Sequence, residues 1–125
     1  MSDTDTYDSI EPIAIIGMSG RFPDADNIDE FWQNLCNGVE SAKAFSDDEL
    51  KASGISSELL NNPRYVRTHP ILKNIDLFDA SFFGFSPKEA ALTDPQHRLF
   101  LECAYEALEN AGYNPDDYPG RIGVY

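Results

Sequence analysis

The apolar positions of this chain change period several times, and each change predicts an element. Ile13 to Ile16 form a short continuous run, β-branched apart from Ala14 and closed by Gly17. A strand buried on both faces reads this way. Further on the spacing becomes helical. In IDEFWQNLC, Ile28, Phe31, Trp32 and Leu35 share one stripe, and Asn27 stands three residues before Glu30 as a helix cap would. Asn37-Gly38 then supplies a left-handed stop. Ser46 with Glu49 repeats the cap pattern and predicts one or two helical turns ending near Gly54, and Asn61-Asn62-Pro63 breaks the chain.

The second half is more strongly patterned. LFDASFFGF, residues 77–85, carries five large apolar side chains in nine and is expected to be buried. Ser86-Pro87-Lys88-Glu89 combines a capping box with proline at the first helical position. Pro95 interrupts that helix and opens another, with Thr93 or Asp94 as its cap, running to about Ala111. Gly112 and Pro115 prevent its continuation. The last five residues, RIGVY, read as a second strand. A strand needs neighbours, and the chain offers at most one or two others.

Composition narrows the class. A chain of 125 residues has room for one domain with a modest core. No apolar run approaches the roughly 20 residues of a membrane span. Residues 1–10 form an acidic leader, expected to be disordered, without the basic start and apolar centre of a signal peptide, so the cytoplasm is the expected compartment. The net charge of −13 argues against a nucleic-acid partner, since no Lys/Arg cluster offsets it. Asp3, Asp5 and Asp8 do not make a calcium loop: the glycine at loop position six is missing, and Ala14 stands where the closing glutamate belongs. The two cysteines show neither CxxC spacing nor a histidine at ligand spacing, which excludes a structural zinc reading and leaves them as free thiols.

Several residues invite a chemical reading. His97 and Cys103 lie on one predicted helix, but six residues leave them about 120° apart with about 9 Å of rise. A thiolate–imidazole pair needs contact at about 3 Å. Cys103 shares an apolar stripe with Leu99, Phe100, Ala104, Ala107, Leu108 and Ala111 and is expected to be a small core residue. His97 is expected to play a buried or partly exposed hydrogen-bonding role. Cys36 reads as structural, and His69 in Thr-His-Pro has no visible partner. Gly17-Met18-Ser19-Gly20 follows the first predicted strand, but it matches neither a P-loop nor a dinucleotide fingerprint nor a nucleophile elbow. It reads as a tight turn leaving a strand. The acidic pairs Asp47-Asp48 and Asp116-Asp117 read as solvated caps and turns. No catalytic constellation is complete.

Taken together, EPIAIIGMSGRFP, FDASFFGFSPKEA, DPQHRLFLECAYEALENAGY and RIGVY closely resemble the N-terminal part of ketosynthase domains. These are the β-ketoacyl synthases of modular polyketide synthases and of hybrid peptide–polyketide synthases. The resemblance covers about residues 11–125. It implies an α/β fold: the incomplete N-terminal half of a thiolase-like α/β/α/β/α sandwich, helix-rich, with two or so sheet strands. Residues 13–17 would be the first strand, 28–36 and 95–111 helices, and 121–125 the start of the next strand. Asp24-Ala25-Asp26 departs from the pattern, standing where a glycine often follows Phe-Pro.

The resemblance also implies an activity. A cysteine takes an acyl chain from the phosphopantetheine thiol of a carrier protein, and two histidines assist decarboxylation of a malonyl-type extender and Claisen condensation. Those motifs would lie beyond Tyr125, so no catalytic, cofactor-binding or metal-binding residue is expected here, and no role carries over to Cys36, Cys103, His69 or His97. No cofactor is expected to be bound directly. The implied partners are the acyl carrier protein, the other synthase domains and a second ketosynthase in a homodimer, with neither nucleic acid nor membrane. The initial Met suggests that the ketosynthase opens its polypeptide, with the carrier protein on a preceding chain. The rival reading is a non-catalytic interaction module that docks onto a carrier protein or a partner subunit, which the shortness of the leader weakens. Strands without neighbours expose edges and an apolar face. A marginal, aggregation-prone species is expected in isolation.

Overall fold

The computed structural model describes residues 12–125, so the predicted leader lies outside the described residues. Five helices and two short strands follow in order: α1 (Ile28–Cys36), β1 (Ala42–Ala44), α2 (Asp47–Ala52), α3 (Ser57–Leu60), β2 (Thr68–Pro70), α4 (Pro87–Leu92) and α5 (Pro95–Asn110). The helix starts are set by local chemistry. The Asn27 side chain accepts from the Glu30 amide. Ser46 and Ser86 each form a complete reciprocal capping box with Glu49 and Glu89. Asp94, rather than Thr93, caps α5, and Thr93 closes α4 instead.

The ends of three helices share one device. After α1, the Gly38 amide donates to the Leu35 carbonyl (3.1 Å) and the Val39 amide to Asn34 (2.9 Å). This Schellman arrangement requires a left-handed residue at Gly38, whose φ is 64°. The Gly54–Ile55 pair closes α2, and the Gly112–Tyr113 pair closes α5, in the same way.

β1 and β2 pair antiparallel with Ala42 opposite Pro70, Lys43 opposite His69 and Ala44 opposite Thr68. Pro70 is tolerated because this ladder is all edge. Arg67 ties the ladder to its neighbours, donating to the Leu60 carbonyl (2.6 Å) and to Asp47 (2.7 Å). Phe22-Pro23-Asp24-Ala25 makes a closed turn, with reciprocal Phe22–Ala25 backbone bonds of 2.8 and 3.1 Å and Asp24 at φ 57°. The aspartate that departs from the family pattern thus occupies a conformation glycine adopts freely. Its carboxylate is approached by Lys43 at 3.3 Å and Lys73 at 3.7 Å.

The two predicted strands at 13–17 and 121–125 do not form. Neither segment enters a ladder, and Ile13 is 96% exposed, Ile15 81% and Val124 75%. A strand satisfies its backbone only through a neighbour, and no described strand lies beside either segment. LFDASFFGF is likewise not buried. Phe78, Phe83 and Phe85 are half-buried in an aromatic cluster, while Leu77 and Phe82 are exposed. Among the described residues the buried apolar side chains are only Ala25, Leu50, Leu60 and Ala90. The interior these helices would close over is mostly open.

Candidate functional site

The densest polar network joins the Gly17–Arg21 segment to the C-terminal half of α5. The Met18 amide donates to Asn110 Oδ1 (3.1 Å), and the Ser19 hydroxyl donates to Glu106 Oε2 (2.7 Å). Arg21 grips the same carboxylate with both terminal nitrogens, Nη1 reaching Oε2 at 2.8 Å and Nη2 pairing with Oε1. Such a bidentate, charge-assisted pair fixes geometry as well as charge. Its hydrogen bond to Arg21 holds the Glu106 carboxyl below the usual carboxylate range against the opposing effect of burial, with Ser19 assisting. The Arg21 guanidinium is correspondingly raised by that bond to Glu106.

Gly17 is what lets this segment lie so close. A Cβ at Gly17 would sit 2.5 Å from the Ala107 carbonyl oxygen and 2.8 Å from the Ala111 nitrogen. The glycine read as a turn residue therefore serves a close backbone–helix approach. Within this segment a carboxylate of the chain itself takes the Ser19 hydroxyl and the Arg21 guanidinium.

The candidate thiols and imidazoles are not brought together. Cys36 is exposed and Cys103 only half-buried, so the expected core position of Cys103 is corrected: the stripe it shares faces an open groove. That groove, about 560 Å³, runs between α5 at Phe100, Ala104 and Leu108 and the segment ending in Val124 and Tyr125. His97 is exposed in the first turn of α5, and no hydrogen bond is seen at its ring among the described residues, which corrects its expected bonding role. His69 has aromatic neighbours the sequence did not suggest, with the Phe45 and Tyr65 rings each 6.2 Å away between centroids. Among the described residues no His/Cys/Asp/Glu group could hold a metal ion, and no helix is long and apolar enough to cross a membrane.

Sequence reasoning missed Glu106 as the hub. The available signal was the pair Glu106 and Asn110, one turn apart on a helix whose neighbouring stripe is apolar. Arg98 was missed as well; its Nη2 donates to the Ile75 carbonyl at 3.3 Å and links α5 to the loop before the aromatic cluster.

In the structure a glycine-rich segment is clamped along α5, and the apolar residues 121–125 that follow enter no ladder. The family described as beta-ketoacyl synthase, N-terminal domain, matches residues 10–125, and the chain belongs to it. Its relatives are polyketide synthases. It is 53% identical over 113 residues to a component of the phenolphthiocerol/phthiocerol polyketide synthase of Mycobacterium tuberculosis, covering 90% of this chain and 8% of that protein. It is 42% identical over 109 residues to polyketide synthase PksN of Bacillus subtilis, covering 87% of this chain and 2% of that protein.

Solved structures agree. Ketosynthase twelve from the bacillaene polyketide synthase of Bacillus amyloliquefaciens superposes with a TM-score of 0.66 at 44% identity, covering 77% of this chain and 17% of that one. The module 6 ketosynthase of the Bacillus subtilis bacillaene synthase gives 0.67 at 39% identity, covering 81% and 17%. The fold is therefore that of an incomplete N-terminal part of a thiolase-like ketosynthase, helix-rich with a small two-stranded sheet. The chain spans a small fraction of each relative's length.

Proposed function

We propose that this chain is the scaffold portion of a polyketide synthase ketosynthase, an acyltransferase of the β-ketoacyl synthase class. The whole enzyme takes an acyl chain from a carrier protein's phosphopantetheine onto an active-site cysteine. It then extends that chain by decarboxylative Claisen condensation with a malonyl-type unit. The carrier protein, the other synthase domains and a second ketosynthase are the partners of the whole enzyme. Residues 11–125 belong to the ketosynthase domain, and the reacting cysteine and both histidines lie beyond Tyr125.

The observation that supports this reading is the match over residues 10–125 to the N-terminal family, together with 53% identity to a polyketide synthase over 113 residues. What this part contributes is position. Gly17 and the Arg21–Glu106 pair fix the segment after Ile16 against α5, so that Ile16, Gly17 and residues 121–125 line one apolar groove with α5. The chain alone does not turn over. Incubation with an acyl-thioester mimic, followed by intact-mass measurement, is expected to leave the chain unmodified. Stable, stoichiometric acylation at Cys36 or Cys103 would overturn the reading.

A further inference from the structure

The stop of α1 places reactive chemistry inside a hydrogen-bonded lock. Asn37 is the one asparagine of the chain that is followed by glycine. An Asn-Gly pair is prone to ring closure, because glycine offers no side chain to hinder its own amide nitrogen. The deprotonated Gly38 nitrogen attacks Asn37 Cγ and a five-membered succinimide forms. The Cγ–Nδ2 bond breaks, and ammonia departs with the proton that the Gly38 amide gave up. Water then opens the ring at either carbonyl, yielding aspartate or isoaspartate. Nothing is oxidised or reduced, and the only co-reactant is solvent water.

Two features of the structure oppose the first step. Asn37 has ψ −2°, which keeps the Gly38 nitrogen away from the Asn37 side chain; attack needs that nitrogen to eclipse Cβ. The Gly38 N–H is committed to the Leu35 carbonyl, and the next amide, Val39, to Asn34. Rotation of ψ at Asn37 breaks both bonds at once. Asn37 and Gly38 are solvent-exposed, so water and base reach the pair as soon as the turn opens.

We infer that Asn37-Gly38 is a conformationally gated deamidation site, whose conversion rate reports opening of the Schellman turn that ends α1. Conversion has a structural consequence. A new carboxylate appears at the C-terminal end of a helix whose last turn holds no basic residue, where the macrodipole opposes it. Isoaspartate also adds a methylene to the backbone, which shifts the Gly38 amide out of register with Leu35. The altered helix is the one whose Phe31 stacks on Phe22, with ring centroids 4.0 Å apart.

The test is peptide mapping by mass spectrometry of the chain incubated at physiological temperature and mildly alkaline pH, with and without urea. Asn37→Asp serves as the chromatographic standard, and far-UV circular dichroism verifies that helix is present in the urea-free arm. Conversion is expected at Asn37 ahead of the other asparagines, and about tenfold slower or more in the folded chain than in urea. Gly38→Ala slows the chemistry in both arms, but it strains the left-handed position and so is expected to narrow the ratio of the two rates about fivefold. Equal rates in the two arms, faster conversion at another asparagine, or an unchanged ratio in Gly38→Ala would each overturn the inference.

Discussion

The helices and the two apolar end segments are patterned with equal clarity, yet only the helices form. α1, α4 and α5 carry caps at their starts and glycine or proline punctuation at their ends, and each satisfies its own backbone. Ile13–Ile16 and Arg121–Tyr125 are no less apolar or β-branched, but a strand's hydrogen bonds belong to its neighbours. Local chemistry decides a helix; a strand is decided by chain that lies elsewhere. Between these extremes stands the Gly17–Arg21 segment. It has no secondary structure, yet α5 holds it by a close glycine contact and a shared carboxylate.

The sharpest way to break that middle case is at Gly17. Gly17→Val puts side-chain atoms where Ala107 and Ala111 backbone already sits, so the segment must lift from α5. Overpacking of this kind costs about 2–3 kcal/mol. Urea titration followed by α5 hydrogen exchange is expected to show lost protection at Ala107–Ala111. An unchanged midpoint would mean that the contact is not held in solution.

Glu106→Gln tests the polar half of the same contact, with a smaller effect. The pair with Arg21 is half-buried, so the loss is discounted for solvent to about 1–1.5 kcal/mol. Arg21→Lys is expected to cost nearly as much, since an ammonium cannot reproduce the fork, and the double variant little more than either. The pH dependence follows from the lowered carboxyl. Its folded pKa lies below its ordinary value of 4.5, so its stabilisation is complete above that value and is lost as pH falls through the folded pKa. Acid titration of Glu106→Gln should therefore show a flatter loss of stability below that value than the parent does. Asp47, Asp79, Glu49 and Glu89 are also lowered by hydrogen bonds and sustain part of the acid sensitivity in both proteins.

At the helix starts, Ser86→Ala removes one half of a capping box and is expected to cost about 1 kcal/mol, read as a lower urea midpoint. Ser86→Asp, which keeps an acceptor, should retain most of it. A full loss in the aspartate variant would show that the hydroxyl contributes through something other than the Glu89 amide.

Those boxes also mark where sequence was sufficient. Asn27, Ser46, Ser86 and the glycines at 38, 54 and 112 were legible because caps and stops act within five residues of chain. The small ladder was not legible: Ala42–Ala44 and Thr68–Pro70 are three residues each, too short for alternation to show, and their register rests on contacts such as Arg67 with Asp47. Glu106 was hidden for another reason. One glutamate on a helix with an apolar stripe reads as solvated, and only the fold brings Arg21 and Ser19 to it across 85 and 87 residues. The family resemblance reached further than the periodicity did. It gave the fold of the relatives, but it also placed strands at 13–17 and 121–125, which enter no ladder among the described residues.

The end segments themselves should give the smallest effect on stability and the clearest contrast. Ile13 is almost fully exposed, so Ile13→Ser removes no packing and is expected to leave the unfolding free energy from urea titration within about 0.5 kcal/mol of the parent. An exposed isoleucine in a β-branched run with unpaired backbone is nonetheless an association hazard. Light scattering of concentrated samples should show less self-association for Ile13→Ser, and less again when Val124→Ser is added. If instead stability fell by more than about 1 kcal/mol, on the scale of a buried β-branched truncation, the run would be packed in solution. Ile13–Ile16 would then have found a neighbour within this chain, and the contrast between self-sufficient helices and dependent strands would fail at the residue where it is drawn most strongly.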